Sequence, residues 1–148
     1  MSTLRDELVE IIENLSNNGM INSRIITDDG IVIVSNTTKN QDAGEHNKDI
    51  GGISASMMSM AEKGLEILKE NVILEQIKVD VGVDDNIEND FTIIIERICS
   101  NLLLQVLFAK RINIGEIHYK INKAISTIKK IVNDKNIKEL FRSISSIT

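Results

Sequence analysis

The sequence predicts an α+β sandwich in which a five-stranded sheet is covered by helices on both faces. Three observations lead there. The runs Ile31–Val34, Phe91–Ile98 and Leu102–Ala109 are strand-like and apolar on both faces, and such strands are shielded on both sides. Three longer stretches repeat their apolar residues at the three- and four-residue offsets of an amphipathic helix. Finally, Asp28-Asp29-Gly30 joins two β-branched runs as a hairpin turn does, because glycine tolerates the positive φ such a turn needs.

The elements follow in order. Ser2 or Thr3 caps a first helix, with Asp6 in the first turn where negative charge suits the dipole. Leu4, Leu8, Ile11, Ile12 and Leu15 form its apolar stripe, and Asn17-Asn18-Gly19 ends it. Met20–Thr27 and Ile31–Ser35 make the hairpin. Thr37–Asp49 is almost wholly polar, contains Gly44 and reads as a mobile loop. A second helix is expected from about Ile50 to Leu68, with Ile50, Ile53, Met57, Met60, Ala61, Leu65 and Leu68 along one side. Its first half, Gly51-Gly52-Ile53-Ser54-Ala55-Ser56, is rich in small residues that let another backbone approach, and methionines fill irregular gaps. That combination suits a packing interface.

From Ile73 to Val83 the pattern alternates, with Ile77, Val79 and Val81 on one face and Lys78 and Asp80 on the other. Half-buried alternation places this strand at a sheet edge or beside an interface. The acidic connector Asp84–Asp90 leads into the two doubly apolar strands, which are joined through Cys99-Ser100-Asn101. A third helix runs from about Ile112 to Val132 on a stripe of Ile114, Ile117, Ile121, Ile125, Ile128 and Val132. Beyond it, Ile137, Leu140, Phe141, Ile144 and Ile147 recur at helical offsets. This short amphipathic tail is expected to pack onto its own domain rather than onto a partner or a membrane, because Lys and Arg do not crowd its polar face. The chain thus divides into a domain at 1–132 and a helical extension at 133–148.

Composition excludes several function classes. The net charge is −5 and only 3% of residues are aromatic, which leaves neither a basic footprint nor rings for base stacking, so no nucleic-acid partner is expected. No apolar run nears the roughly 20 residues of a membrane span. An acidic N-terminus without an apolar stretch and a single cysteine, Cys99, fit a cytoplasmic protein. At 148 residues, the chain can bury roughly 68–70% of its unfolded surface, enough for a core without staples.

The chemistry of sites is sparse. Asp84-x-Asn86-x-Glu88-x-Asp90 spaces oxygens as a calcium loop does, but Asn89 stands where glycine is needed and Ile95 where glutamate is. A solvated hairpin loop is the better reading. His46 and His118 belong to no ligand pattern, so no metal is expected. Cys99 paired with His118 is the only conceivable nucleophile, and a structural thiol is the commoner outcome. Gly51-Gly52 opens a helix without either glycine-rich phosphate-loop signature. No enzyme activity and no cofactor are expected.

Taken together, the leading helix, the strand Ile21–Thr27, the Asp28-Asp29-Gly30 turn into Ile31–Val34, the small-residue helix Ile53–Met58, and Leu102–Leu107 leading into Ile112-Asn113-Ile114-Gly115-Glu116-Ile117 resemble the roadblock (dynein light chain roadblock-type) family. The resemblance covers Leu4 to about Val132. It implies an antiparallel sheet of strand order 2-1-5-4-3, with helices 1 and 3 on one face and helix 2 on the other. It also implies dimerisation through helix 2 and strand 3, here Ile53, Met57, Met60, Ala61, Ile77, Val79 and Val81, with a second copy or a related roadblock protein. The implied function is a non-catalytic scaffold or regulator that binds a small Ras-like GTPase. Two other readings stand beside it: a PAS- or GAF-like ligand sensor, which requires a cavity, and a purely structural adaptor.

Overall fold

A computed structural model describes residues 3–15, 20–36, 41–70, 73–82, 90–109, 112–132 and 138–139. The chain runs α1 (Leu4–Leu15), β1 (Met20–Thr27), β2 (Val32–Ser35), α2 (Gln41–Glu66), β3 (Gln76–Val81), β4 (Phe91–Cys99), β5 (Leu102–Ala109) and α3 (Ile114–Ile131). All strand pairs are antiparallel, and the order across the sheet is β2-β1-β5-β4-β3. This is the predicted α+β sandwich.

The double-faced strands explain its layers. In β5, Leu102, Leu104, Val106 and Phe108 enter one buried cluster with Leu8, Ile12 and Leu15 of α1 and Ile117, Ile121, Ile125 and Ile128 of α3. Leu103, one position out of phase, enters a second cluster with Ile26, Ile95 and Met58 of α2. Because strand side chains alternate, a single strand feeds two cores, and each core needs its own helical cover. α1 and α3 supply one cover, α2 the other.

Local signals are met where they were expected. Thr3 caps α1 reciprocally: its Oγ1 accepts from Asp6 N at 3.2 Å, while its own N–H donates to Asp6 Oδ2 at 3.1 Å. This is a capping box closed by aspartate. Gly30 has φ 94°, which completes the β1–β2 turn. A bulge at Ile25/Ile26 puts two residues of β2 opposite one step of β1, so the consecutive Ile33 and Val34 both reach the α1–α3 core. Asn113 caps α3 by accepting from Gly115 N at 2.8 Å.

Several boundaries differ from the sequence reading. The expected loop at 37–49 is helical from Gln41 onward, so α2 starts nine residues earlier than its apolar stripe suggests. Sequence periodicity cannot see a helical turn that has no apolar face to repeat. α2 ends at Glu66, two residues short, where the Leu65 carbonyl accepts from both Leu68 N and Lys69 N. β3 is shorter than the alternating run, and Ile114 is exposed at the start of α3 rather than buried in its stripe. The helix stop at 17–19, the acidic connector at 84–89 and, apart from the helical residues 138 and 139, the tail at 133–148 lie outside the described residues.

Between the sheet and α3 sits one uncompensated group. Glu96 pairs across strands with Gln76, and its Oε2 is buried without a hydrogen-bond partner among the described residues. Burial pushes the carboxyl above its ordinary value, opposed by nearby His118 and the Gln76 hydrogen bond. A folded-state value raised above the unfolded one favours folding most below the unfolded value, and that advantage is lost as pH rises through the folded one. Glu96→Gln is therefore expected to be more stable than the parent at pH 7.5, with the difference shrinking toward pH 4, as read by urea unfolding at both values.

Candidate functional site

The site built by these elements is a surface made from the outer side of α2 and the adjoining edge of the sheet. α2 turns Ser54, Ala55 and Met58 toward the sheet, where all three are buried. The predicted stripe lies elsewhere on the helix. Ile53 is 61% and Met60 72% exposed, two turns apart and on one outward line. Met57 and Ala61 lie half-buried between that line and the sheet. On the same outer surface, a Cβ added at Gly52 or Gly64 would meet nothing within 4 Å. Each glycine costs an exposed helix up to about 1 kcal/mol relative to alanine, and no neighbour among the described residues explains it.

β3 completes the surface. It is the last strand of the sheet, so one of its backbone edges has no strand partner among the described residues. Ile77 and Val79 pair with Ile95 and Ile93, which places Ile77, Val79 and Val81 on the α2 side, all half-buried. Met57 and Ile77 meet at the same cluster, packed against Ile26, Met58, Ile95 and Leu103. The structure thus gathers all seven residues implied for association onto the α2 side of the molecule. The exposed Leu65, Ile67, Leu68 and Ile73 extend the apolar surface past the end of α2.

Two polar constructions hold the surface in place, and neither is evident from the sequence. The first is centred on Arg97 of β4, whose side chain is 13% exposed. Its Nη2 pairs with Glu62 Oε1 of α2, Nε donates to the Leu74 carbonyl at 3.0 Å, and Nη1 donates to the Ser100 carbonyl at 3.3 Å. The same Glu62 oxygen accepts from Leu74 N at 3.1 Å. One guanidinium thereby ties the end of α2, the approach to β3 and the β4–β5 turn. The second lies beneath α2. Arg24 Nη1 donates to Gln105 Oε1 at 3.0 Å, and Gln105 Nε2 donates to Ser54 Oγ at 2.6 Å. Burial lowers the Arg24 pKa, but a guanidinium remains charged. The available signal was a polar residue set within an apolar strand, Arg24 in β1 and Gln105 in β5.

Cys99 is a half-buried free thiol, and His118 lies near Glu96 on the α3 side. Among the described residues no group of three or more His, Cys, Asp or Glu is placed to hold a metal ion. No helix among them is long and apolar enough to cross a membrane.

Comparison with known proteins places the fold. No protein-family model matches the chain, and no curated protein matches it in sequence. Solved structures do match. The gliding protein MglB from Thermus thermophilus superimposes with a TM-score of 0.71 at 12% identity, over 88% of this chain and 92% of that one. MglB from Myxococcus xanthus gives 0.68 at 16% identity, over 84% and 94%. A Roadblock/LC7 domain from Streptomyces avermitilis gives 0.66 at 12% identity, over 82% and 94%. The chain has the roadblock fold.

Removing the guanidinium leaves Glu62 half-buried without its ion pair and the Leu74 and Ser100 carbonyls without these donors. Arg97→Ala should therefore lower stability by about 2–4 kcal/mol, measured by denaturant titration, whereas Lys78→Ala on the exposed side of β3 should change it little.

Proposed function

We propose that the protein is a non-catalytic, self-associating roadblock-type module that binds a small Ras-like GTPase in the cytoplasm. The observation that carries this reading is the outward apolar line Ile53–Met60 beside the unpaired edge of β3. A second copy, or a related roadblock protein, would cover both at once: helix against helix across the glycines, strand against strand across the edge. A two-fold contact of this kind is self-complementary, and it removes an edge that otherwise invites uncontrolled pairing. Ile53, Met57, Met60, Ala61, Ile77, Val79 and Val81 form the contact.

The GTPase reading rests on resemblance to roadblock proteins, whose members act as scaffolds and regulators of small GTPases. The ligand-sensor reading has less support, because such a domain needs a cavity with a few polar groups and the doubly apolar strands offer few of them.

Two experiments test the proposal separately. Met60→Glu places a charge at the centre of the contact without touching the buried core. It should weaken association at least tenfold, or about 1.4 kcal/mol, with Met57→Glu and Ala61→Arg acting in the same direction. Light scattering across a dilution series reads the result, and an unchanged assembly places the interface elsewhere. For the partner, the source cell's small GTPases, each loaded with GDP or a GTP analogue, are titrated against the wild-type chain. Preferential binding to one nucleotide state is expected. Equal binding to both would indicate an adaptor, and binding to none would remove the GTPase role while leaving the fold intact.

A further inference from the structure

On the sheet face opposite α2, the helices α1 and α3 enclose a groove of about 380 Å³. Its floor is apolar and recessed: Leu15 and Ala124 are buried and Ile11 is half-buried. Tyr119 stands 69% exposed at its side. The charge of the lining has one sign. Lys120 and Lys123 line the α3 wall, and no acidic residue lines either wall. Neither lysine is in an ion pair among the described residues. Glu7 and Glu116, which share these helix faces, are exposed one turn outside the groove.

We propose that this groove is the docking site of an acidic amphipathic helix of a partner protein. Charge argues for the acid. Lys120 is half-buried beside an apolar floor, where its ammonium has lost part of its water and has gained no counter-charge. A carboxylate brought in by a partner interacts with it more strongly there than it would in open solvent. Shape argues for the helix. Tyr119 to Thr127 spans about 12 Å along α3, a little over two helical turns, and Lys120 and Lys123 are about 4.5 Å apart along the axis. A helix laid in the groove presents apolar residues at successive turns to Ile11, Leu15 and Ala124, and acids three or four residues apart on one flank to the two lysines.

Two other occupants fit less well. Attraction to an anionic membrane takes clusters of about four to eight basic residues, whereas two lysines line this groove in a chain of net charge −5. A bilayer surface also cannot descend to floor residues that lie between two helices. A second copy of the chain could offer the acidic α1, but the apolar stripe of that helix, Leu8, Ile12 and Leu15, is already sealed in its own core. The groove faces away from α2, so a partner held here leaves the α2–β3 surface open.

Tyr119 is the only tyrosine, and the chain has no tryptophan, so its fluorescence reports on this groove. The probe is a synthetic helical peptide of about 15 residues, free of aromatic residues, with leucines along one face and glutamates on its flanks. A counterpart carries lysine at every glutamate. Titrated into the full-length chain, the acidic peptide should change the Tyr119 emission saturably, and the basic one should bind about tenfold more weakly. The full-length double variant Lys120→Glu/Lys123→Glu should reverse that order, which a loss of folding cannot do, with circular dichroism and light-scattering mass unchanged. Lys120→Gln/Lys123→Gln, a milder change, should abolish the preference without reversing it. No saturable change up to about 1 mM acidic peptide overturns the proposal, and so does equal binding of the two peptides. A preference for the acidic peptide that survives the charge reversal overturns it too, as does lysine-dependent binding to phosphatidylserine vesicles in place of the peptide. Light scattering keeps these outcomes separate from the α2–β3 contact, which the α3 variants do not touch.

Discussion

The structure depends on a sheet whose central strands are apolar on both faces. β1, β5 and β4 each send alternate residues into two separate cores, and neither core can form without a helical layer of its own. A fully buried Leu or Ile side chain contributes roughly 1.5–3 kcal/mol by leaving water. Leaving either face bare would forfeit several such contributions at once. The three-layer arrangement follows from that requirement, and with it the separation of an α1–α3 face from an α2 face.

The two faces are finished differently. The α1–α3 core is large and well sealed, with Leu8, Ile12, Ile117, Ile121 and Ile128 at or below 1% exposure. The α2 core has far fewer fully buried members, and the helix over it presents Ile53 and Met60 to water. Part of α2's apolar character is therefore not used within its own domain. Its position is fixed instead by polar anchors, Ser54 to Gln105 and Arg24 underneath, and Glu62 to Arg97 at its end. Hydrogen bonds of this kind are directional where apolar packing is not, so they set the angle of a helix that is only partly held by its core.

Much of this was legible from the chain alone. Helical periodicity located α1 and α3 to within two residues, and alternation in Ile77–Val81 marked β3 as a strand at a sheet edge or beside an interface. The Asp28-Asp29-Gly30 turn was legible because a positive φ at Gly30 is a local demand that a sequence states directly. The first turns of α2 were not, because Gln41–Asp49 carries no apolar repeat. Sequence could assign Ile53 and Met60 to one side of α2. It could not say whether that side met the sheet or the solvent, since Met58 and Met60 differ only in which way a rotation of the helix turns them.

What the sequence by itself determined is the set of elements, their order and the need for cover on both faces, because periodicity and turn chemistry depend on near neighbours. Tertiary structure alone decided which residues meet over long separations: Arg97 with Glu62, Gln105 with Ser54, Glu96 beneath α3, and the groove between α1 and α3. Those pairings arise from strand register and helix placement, and no local pattern encodes the partner of a polar side chain that lies dozens of residues away.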